Sequence, residues 1–258
     1  MSLIRTLITA SVLSVSFNAN AALTSYTGTD GVGLVYSSVS DLTWTQDANL
    51  LATLDNSLGY DNVVDAIIAS SPTITDTPNI YDNPSNTGYH VVTSADFHID
   101  GTVSWFGAHA FINYLNTISF GGSNQWRLPN LGKLPLSANY RASDNEFGLL
   151  FFSELNNIVE NNLINSDFFD NEQILAYWSK TEYDTEYDID YGRAWVFITG
   201  NGVYPDRTYK NSHLFAWAVT PGQVTAVPLP TASWLMLTGL LGCIGFKRSK
   251  NKVLFDRA

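Results

Sequence analysis

The chain has 258 residues, with 24 Asp and Glu against 13 Lys and Arg and a formal net charge of −11. Residues 22–226 alone carry 23 acidic and 7 basic side chains, a net charge of −16. Such a surface repels nucleic acid and anionic polymers unless cations bridge them, which excludes a nucleic-acid partner. The single cysteine, Cys243, lies close to the C-terminus, so residues 22–226 have no disulfide, thiol nucleophile or cysteine metal ligand.

Residues 1–21 have the pattern of a cleavable secretory signal peptide. Arg5 gives a positively charged start, Leu7 to Phe17 is mostly apolar, and Ala19-Asn20-Ala21 supplies the small residues that signal peptidase requires. This order predicts cleavage by signal peptidase after Ala21 and an exported mature chain. A buried N-terminal helix is the alternative interpretation.

The first half of the mature chain predicts strands followed by a short helix. Between Tyr26 and Leu42, short β-favouring stretches are broken by glycine, and Asp41-Leu42-Thr43-Trp44 is typical of a strand end. The polar segment Asp47 to Ser57 is expected to extend away from the core. Asp61 to Ser70 predicts a short helix, and the proline-containing Ser71 to Thr87 predicts a loop or insertion.

The second half contains the strongest helix prediction, Val103 to Ile118. Its apolar residues recur at spacings of three and four on one face, Ser104 is a plausible N-cap, and Gly121-Gly122 is expected to end the segment. A second helical region is predicted over Phe147 to Ile164. Strands are predicted over Leu175 to Ser179, Ala194 to Ile198 and Leu214 to Val219. The mixture favours one α+β domain over residues 22–226.

The segment 227–252 predicts a membrane anchor. Val227-Pro228-Leu229-Pro230 is an extended break before the apolar run Thr231 to Phe246, which starts near Trp234 and is followed by a basic cluster beginning with Lys247-Arg248. A helix over this run is about 24 Å long, slightly short for a bilayer core of about 30 Å. Flanking Trp and snorkelling Lys side chains cover the difference. The prediction is a single transmembrane helix with its basic end in the cytoplasm and the domain outside.

This tail resembles the PEP-CTERM sorting signal. The resemblance lies in the order of a Val-Pro-x-Pro motif, small residues, tryptophan, a glycine-containing apolar run and a basic end. The matching residues are Val227, Pro228, Pro230, Trp234, Lys247 and Arg248. Leu229 replaces the usual glutamate, and the chain continues beyond the basic cluster to Ala258.

The PEP-CTERM resemblance implies a partner and a destination. It implies processing in a Gram-negative bacterium by an exosortase, a membrane protease-transferase linked to exopolysaccharide production and biofilm. The chain would be held at the inner membrane by its C-terminus before processing, and would then reach the cell surface or the extracellular space. A plain C-terminal membrane anchor is the alternative, with the same topology.

Motifs spread over residues 41–219 resemble the Lcl C-terminal domain family. The most specific is Trp126-Arg127-Leu128-Pro129-Asn130, which follows Gly121-Gly122. The resemblance implies a C-type-lectin-like α+β domain with irregular loops, and extracellular adhesion or contact with glycan. The other matching pieces are Asp41-Leu42-Thr43-Trp44, Trp105-x-x-Ala108, Tyr114-Leu115-Asn116, Tyr177 to Glu182, Ala194-Trp195-Val196-Phe197 and Phe215 to Val219.

The same motif provides one candidate ligand site, formed by Trp126, Arg127 and Asn130. Arginine presents a planar fork of donors that can hold a carboxylate or carbonyl groups of a ligand. The alternative is a core-forming loop, in which Trp126 is buried and Arg127 pairs with Glu182 or another acid.

An acidic stretch provides a candidate Ca²⁺ site. Between residues 182 and 190 every second residue is acidic. On a strand all these carboxylates would share one face and repel each other, whereas a loop can wrap them around a hard cation. The five acids are Glu182, Asp184, Glu186, Asp188 and Asp190. A solvated acidic loop is the alternative. No cofactor other than this possible Ca²⁺ is predicted.

Other chemistry is weakly indicated. His90, Asp96, His98 and Asp100 could supply zinc ligands, but no HExxH motif is present. Nucleophile-elbow, P-loop and Rossmann patterns are also missing from the sequence. We therefore expect a non-enzymatic surface or matrix protein that binds glycan or exopolysaccharide. The alternative is an exported hydrolase that cleaves glycans with a pair of carboxylates.

Overall fold

The computed structural model describes residues 23–131, 145–155, 167–183, 192–199 and 204–224. These residues combine helices and sheets, which confirms the predicted α+β class. No helix among them is long and apolar enough to cross a membrane. The predicted signal peptide and the segment 227–252, with its predicted transmembrane helix and sorting motif, lie outside the described residues.

Nine strands and four helices are present in the described part of the chain. The strands are β1 (Leu23–Thr27), β2 (Gly33–Ser37), β3 (Leu42–Thr45), β4 (Thr73–Thr75), β5 (Tyr89–Val91), β6 (Ala176–Glu182), β7 (Arg193–Ile198), β8 (Tyr204–Tyr209) and β9 (Val219–Pro221). The helices are α1 (Leu50–Leu58), α2 (Tyr60–Ser70), α3 (Trp105–Thr117) and α4 (Glu146–Gly148), which continues as a π-helix over Leu149–Glu154. Short 3₁₀ turns occur at Thr29–Gly31, Ser94–Asp96 and Phe120–Gly122.

The described strands form three antiparallel sheets. Their strand orders are β1-β2-β3-β9, β4-β5 and β6-β7-β8. In the first sheet, Trp44 pairs with Val35 on one side and with Val219 on the other. The last described strand therefore joins the sheet made by the first three, and it is this sheet whose end carries the candidate site.

Helix α3 matches its prediction closely. The Ser104 side chain accepts a hydrogen bond from the amide of Gly107, which is the expected N-cap contact. The face that carries Phe111 and Leu115 is buried. Beyond the helix, Gly121 has a φ of +62°, so the chain turns there at little steric cost.

The expectation for Asp47 to Ser57 is wrong. Most of this segment forms α1 and packs on the core instead of extending away from it, with Leu50 and Leu51 buried. A carboxylate oxygen of Asp47 accepts the amide of Asn49 at 2.9 Å and so helps to satisfy the start of the helix. Leucine and alanine make up five of the nine residues of α1 and favour a helix, and burial of Leu50 and Leu51 fixes this helix on the core.

The predictions for the later strands are confirmed in part. Strand β7 covers the predicted segment Ala194 to Ile198, and β6 covers the predicted segment Leu175 to Ser179 except Leu175, whereas β8 is not among the predicted strands. The predicted strand Leu214 to Val219 overlaps β9 only at Val219, and its preceding residues join the fold through isolated bridges, such as Val103 with Leu214. The described part of the predicted Phe147 to Ile164 helix is helical up to Glu154.

The described residues form two buried hydrophobic clusters, and aromatic side chains fill one of them. Trp44 and Trp217 are fully buried, with ring centroids 5.1 Å apart, and Phe147 stacks on Phe197 at 4.9 Å. The other cluster joins α1, α2 and α3 to Leu34 of the first sheet and to strands β6 and β7. Large aromatic burial of this kind supplies the core of a domain that has no disulfide in its described part.

Candidate ligand-binding cleft

A cleft of about 290 Å³ lies at one end of the first sheet, where β2 begins, β3 ends and α1 begins. Its volume is near the lower end of the range for small-molecule sites, about 300–1,000 Å³. The space therefore suits a small group such as one sugar ring. The lining residues are Val32, Gly33, Thr45, Gln46, Asp47, Leu50, Thr53, Leu54, Phe120 and Asp170.

The cleft lining divides into an apolar and a polar part. Val32, Leu54 and Phe120 contribute apolar surface, while Gln46 and Asp170 are among its polar side chains. Ligand sites commonly combine a mainly apolar wall with a few placed polar groups that fix orientation. This division gives the cleft the means to hold a ring by its apolar face and to bond the polar groups at its edge.

Two of the lining residues, Asp47 and Asp170, are brought to neighbouring positions by backbone pairing. Asp47 and Asp170 form a parallel bridge, in which the amide of Ala48 donates to the Asp170 carbonyl at 2.8 Å. The amide of Asp170 donates to the Gln46 carbonyl at 2.9 Å. Directly paired residues point to the same side, so both carboxylates face the same space.

Hydrogen bonds hold these carboxylates in place. One Asp47 oxygen accepts the hydroxyl of Thr53 at 2.5 Å and the side-chain amide of Asn171 at 3.0 Å. An Asp170 oxygen accepts the side-chain amide of Gln46 at 3.0 Å. The other Asp47 oxygen accepts the backbone amide of Asn49 at 2.9 Å. Each carboxylate offers about four lone-pair positions, so Asp47 retains about one and Asp170 about three for a ligand.

The family model for the Lcl C-terminal domain matches residues 33–220, which include every residue of the cleft except Val32. The chain belongs to the Lcl C-terminal domain family. This confirms the predicted family, and it is consistent with an exported or cell-surface protein. No curated protein and no solved structure matches the chain. The C-type-lectin-like grouping and the PEP-CTERM signal stay predictions.

The residues Trp126, Arg127 and Asn130 are engaged within the Lcl C-terminal domain itself. Trp126 is only 3% exposed, and its indole N–H donates to the Phe120 carbonyl at 2.9 Å. The Arg127 guanidinium makes two bonds of 2.7 Å to Glu146, which also accepts the backbone amide of Asn130 at 2.8 Å. The geometry is that of the core-forming alternative, with Glu146 as the acid in place of Glu182. A ligand role for these three residues is still a prediction.

The Trp126 motif nevertheless lies next to the cleft. The Trp126 ring packs against Phe120 with centroids 6.1 Å apart, and Phe120 lines the cleft. The motif therefore supports the wall of the cleft from behind. Sequence reasoning missed Gln46, Asp47 and Asp170, although polar residues directly after a predicted strand end were a usable signal.

Of the predicted Ca²⁺ ligands, only Glu182 lies within the described residues, and it already has a counter-charge. Its carboxylate is 2.9 Å from the Lys210 ammonium, which also bonds Asp76 at 2.5 Å. Lys210 is fully buried, and its ammonium lies 4.7 Å from the ring centre of Trp105. Asp184, Glu186, Asp188 and Asp190 lie outside the described residues, so the Ca²⁺ prediction stays open.

The four residues considered for zinc are engaged in separate contacts. His90 is 3.2 Å from Asp96, which also accepts the Ser104 hydroxyl at 2.6 Å. His98 stacks on His213 with ring centroids 3.8 Å apart. Asp100 accepts the hydroxyl of Thr102 at 2.7 Å. Within the part of the chain that the structure describes, no three metal-ligating side chains are grouped to hold an ion.

Proposed function

We propose that this Lcl C-terminal domain is a non-enzymatic binding domain that acts outside the cell and holds a sugar residue of a glycan or matrix polymer in the cleft. The supporting observation is the division of the cleft into an apolar wall with Phe120 and a polar edge with Gln46, Asp47 and Asp170. A pyranose has the same division, because its ring faces present C–H groups and its edge presents hydroxyls. Carboxylate and amide side chains are suitable partners for those hydroxyls.

The charge of the domain supports the same class of ligand. Among the residues that the structure describes, the ionisable side chains that line the cleft are Asp47 and Asp170, and none of the lining side chains is basic. Residues 22–226 together carry a net charge of −16. Sulfated or uronic-acid polymers would meet like charge in such a site, and nucleic acid would be repelled for the same reason.

We propose that both ends of the chain direct its export from the cell. Signal peptidase would cut after Ala21, just before β1 begins at Leu23, so this cut leaves the first strand intact. An exosortase-like membrane protease would then act on the PEP-CTERM-like segment after its apolar run had held the chain at the inner membrane. A C-type-lectin-like arrangement with irregular loops is part of the same proposal.

Binding to an array of glycans tests the proposed site. We expect the full chain, purified in detergent, to bind at least one glycan saturably, and Gln46→Ala to weaken this binding because it removes an amide from the edge of the cleft. Asn62→Ala is the matched control, because Asn62 is exposed on α2 and does not line the cleft. Binding that is unchanged by Gln46→Ala and abolished by Arg127→Ala would move the site to the Trp126 motif.

The hydrolase alternative is kept because Asp47 and Asp170 are a pair of neighbouring carboxylates in a cleft. A glycosidase requires one carboxyl group whose pKa is raised so that it can donate a proton. Burial raises the pKa of Asp55, Asp76 and Glu154 among the described acids, and none of these three lines the cleft. Turnover of chromogenic glycosides that is lost in Asp47→Asn would favour the hydrolase.

A further inference from the structure

We propose that the cleft selects a sugar with a free amine, so that the ligand is a glycan containing hexosamine residues that are not N-acetylated. This inference rests on the proposed glycan-binding function and names the ligand class of the same site. It depends on the pairing of Asp47 with Asp170 and on the neutral character of the other side chains in the cleft.

The two neighbouring acids, Asp47 and Asp170, favour the binding of a positively charged group. Like charges on directly opposed residues of neighbouring strands are destabilising. Among the described residues, the donors to this pair are neutral: the hydroxyl of Thr53, the backbone amide of Asn49 and the side-chain amides of Asn171 and Gln46. They orient the carboxylates without cancelling their charge. A cation that enters the cleft therefore gains attraction from both acids at once.

The groups in the cleft suit an ammonium ion better than a metal ion. Calcium takes six to eight oxygen ligands, usually with several carboxylates among them, and no three His, Cys, Asp or Glu side chains of the described residues are grouped to hold an ion. An ammonium group has only three N–H donors to satisfy. The carboxylates of Asp47 and Asp170 supply acceptors for two of these donors, and the side-chain oxygen of Gln46 can accept the third.

An ammonium ion without an attached ring would make no contact with the apolar part of the cleft. The apolar side chains of Leu50, Leu54 and Phe120 line the same space, and they offer a surface for the carbon face of a ring. A hexosamine carries its amine directly on such a ring. N-acetylation removes the positive charge and adds an acyl group, so the acetylated sugar loses the attraction and needs more of a space of about 290 Å³.

Calorimetry with three β-1,4-linked tetrasaccharides tests this inference on the full chain in detergent. The probes are the tetramers of glucosamine, N-acetylglucosamine and glucose, at a mildly acidic pH where the free amines are protonated. We expect the glucosamine tetramer to bind at least about tenfold more tightly than either other probe, since charge attraction near a protein surface readily supplies that difference. Added salt should reduce the advantage.

Two matched variants separate the cleft from general surface charge. Asp170→Asn removes one charge from the cleft with little change of shape, and it should weaken glucosamine binding about tenfold while changing glucose binding little. Asp65→Asn removes the same charge from an exposed position on α2 that does not line the cleft, and it should leave all three affinities unchanged.

The remaining outcomes overturn the inference in distinguishable ways. Equal affinity for the three tetramers, all weakened by Gln46→Ala, would refute selection for the amine and leave the proposed function in place. Equal loss of glucosamine affinity in Asp170→Asn and Asp65→Asn would show attraction by general surface charge. Binding that requires Ca²⁺ would replace the amine with a bridging metal. No binding of any tetramer, together with no binding on the glycan array, would refute the proposed function itself.

Discussion

Replacing Asp55 with asparagine is expected to stabilise the protein at neutral pH. Asp55 lies on α1 and is only 4% exposed, and neither of its carboxylate oxygens has a hydrogen-bond partner among the described residues. Burial raises the pKa of this carboxyl from an ordinary value of 3.8 to about 6. An ionised carboxylate without partners in such a place costs free energy that a neutral amide avoids in large part.

The sign and size of this effect follow from linkage. The folded state holds the proton of Asp55 more tightly than the unfolded state, so the stability contribution is full below the ordinary pKa and is lost as the pH rises through about 6. A pKa shift of one unit is worth about 1.4 kcal/mol, which gives an upper limit of about 3 kcal/mol for the cost of ionising Asp55 in the folded state. The asparagine variant still buries an amide without a partner, so its gain at neutral pH should be about 1–2 kcal/mol.

Urea unfolding of the wild type and Asp55→Asn between about pH 5 and pH 8 measures this effect. The stability difference should grow as the pH rises through the raised pKa of Asp55 and level off above it. Asp61→Asn, at an exposed position on α2, is the control and should show no such pH dependence. A stability difference that is the same at every pH, or a loss of stability at neutral pH, would show that Asp55 has partners or water that the burial argument omits.

The other predictions concern the buried ion pairs, the tryptophan motif, sorting and calcium. Lys210→Met should destabilise the domain by roughly 3–5 kcal/mol in urea unfolding, because it leaves two carboxylate partners without a counter-charge, and equal stability would refute the pairing. Trp126→Ala should cost roughly 3–5 kcal/mol through loss of core packing, and an unchanged melting midpoint would instead favour a ligand-stacking role. Deleting residues 228–252 should release the protein from membranes in fractionation experiments, and continued membrane association would contradict the predicted anchor. If the acidic stretch binds Ca²⁺, millimolar Ca²⁺ should raise the melting midpoint, and Asp184→Asn combined with Asp188→Asn should abolish the rise.

Elements whose signals are local were predicted well from the sequence. Helix α3 carries its apolar face and its N-cap Ser104 within one short stretch, and both features are present in the structure, although the helix ends at Thr117, before the glycines that were expected to end it. Strands β6 and β7 are rich in β-branched and aromatic residues, so their patterns are also local. Such elements need little information from the rest of the chain.

Elements that depend on distant contacts were missed. Helix α1 has four leucines among its nine residues, at the spacings of three and four that favour a helix, and Leu50 and Leu51 are buried against other segments. Strand β8 contains Pro205, Asp206 and Arg207, which do not favour a strand on their own. It becomes a strand because every residue from Tyr204 to Tyr209 is paired with β7. Tertiary pairing decides the case of β8, and no local pattern records it.

The residues of the candidate cleft are also hard to predict from the sequence, because they come together only in the folded chain. The side chains of the recognisable Trp126 motif make contacts within the fold, since Trp126 bonds the Phe120 carbonyl and Arg127 bonds Glu146. The cleft takes its charged groups from Asp47 and Asp170, which are distant in the sequence and meet only through a backbone bridge. Motif recognition therefore identifies the family through residues that build the scaffold. It leaves the ligand to be determined by side chains outside that motif, so two proteins with the same scaffold motif can differ in what they bind.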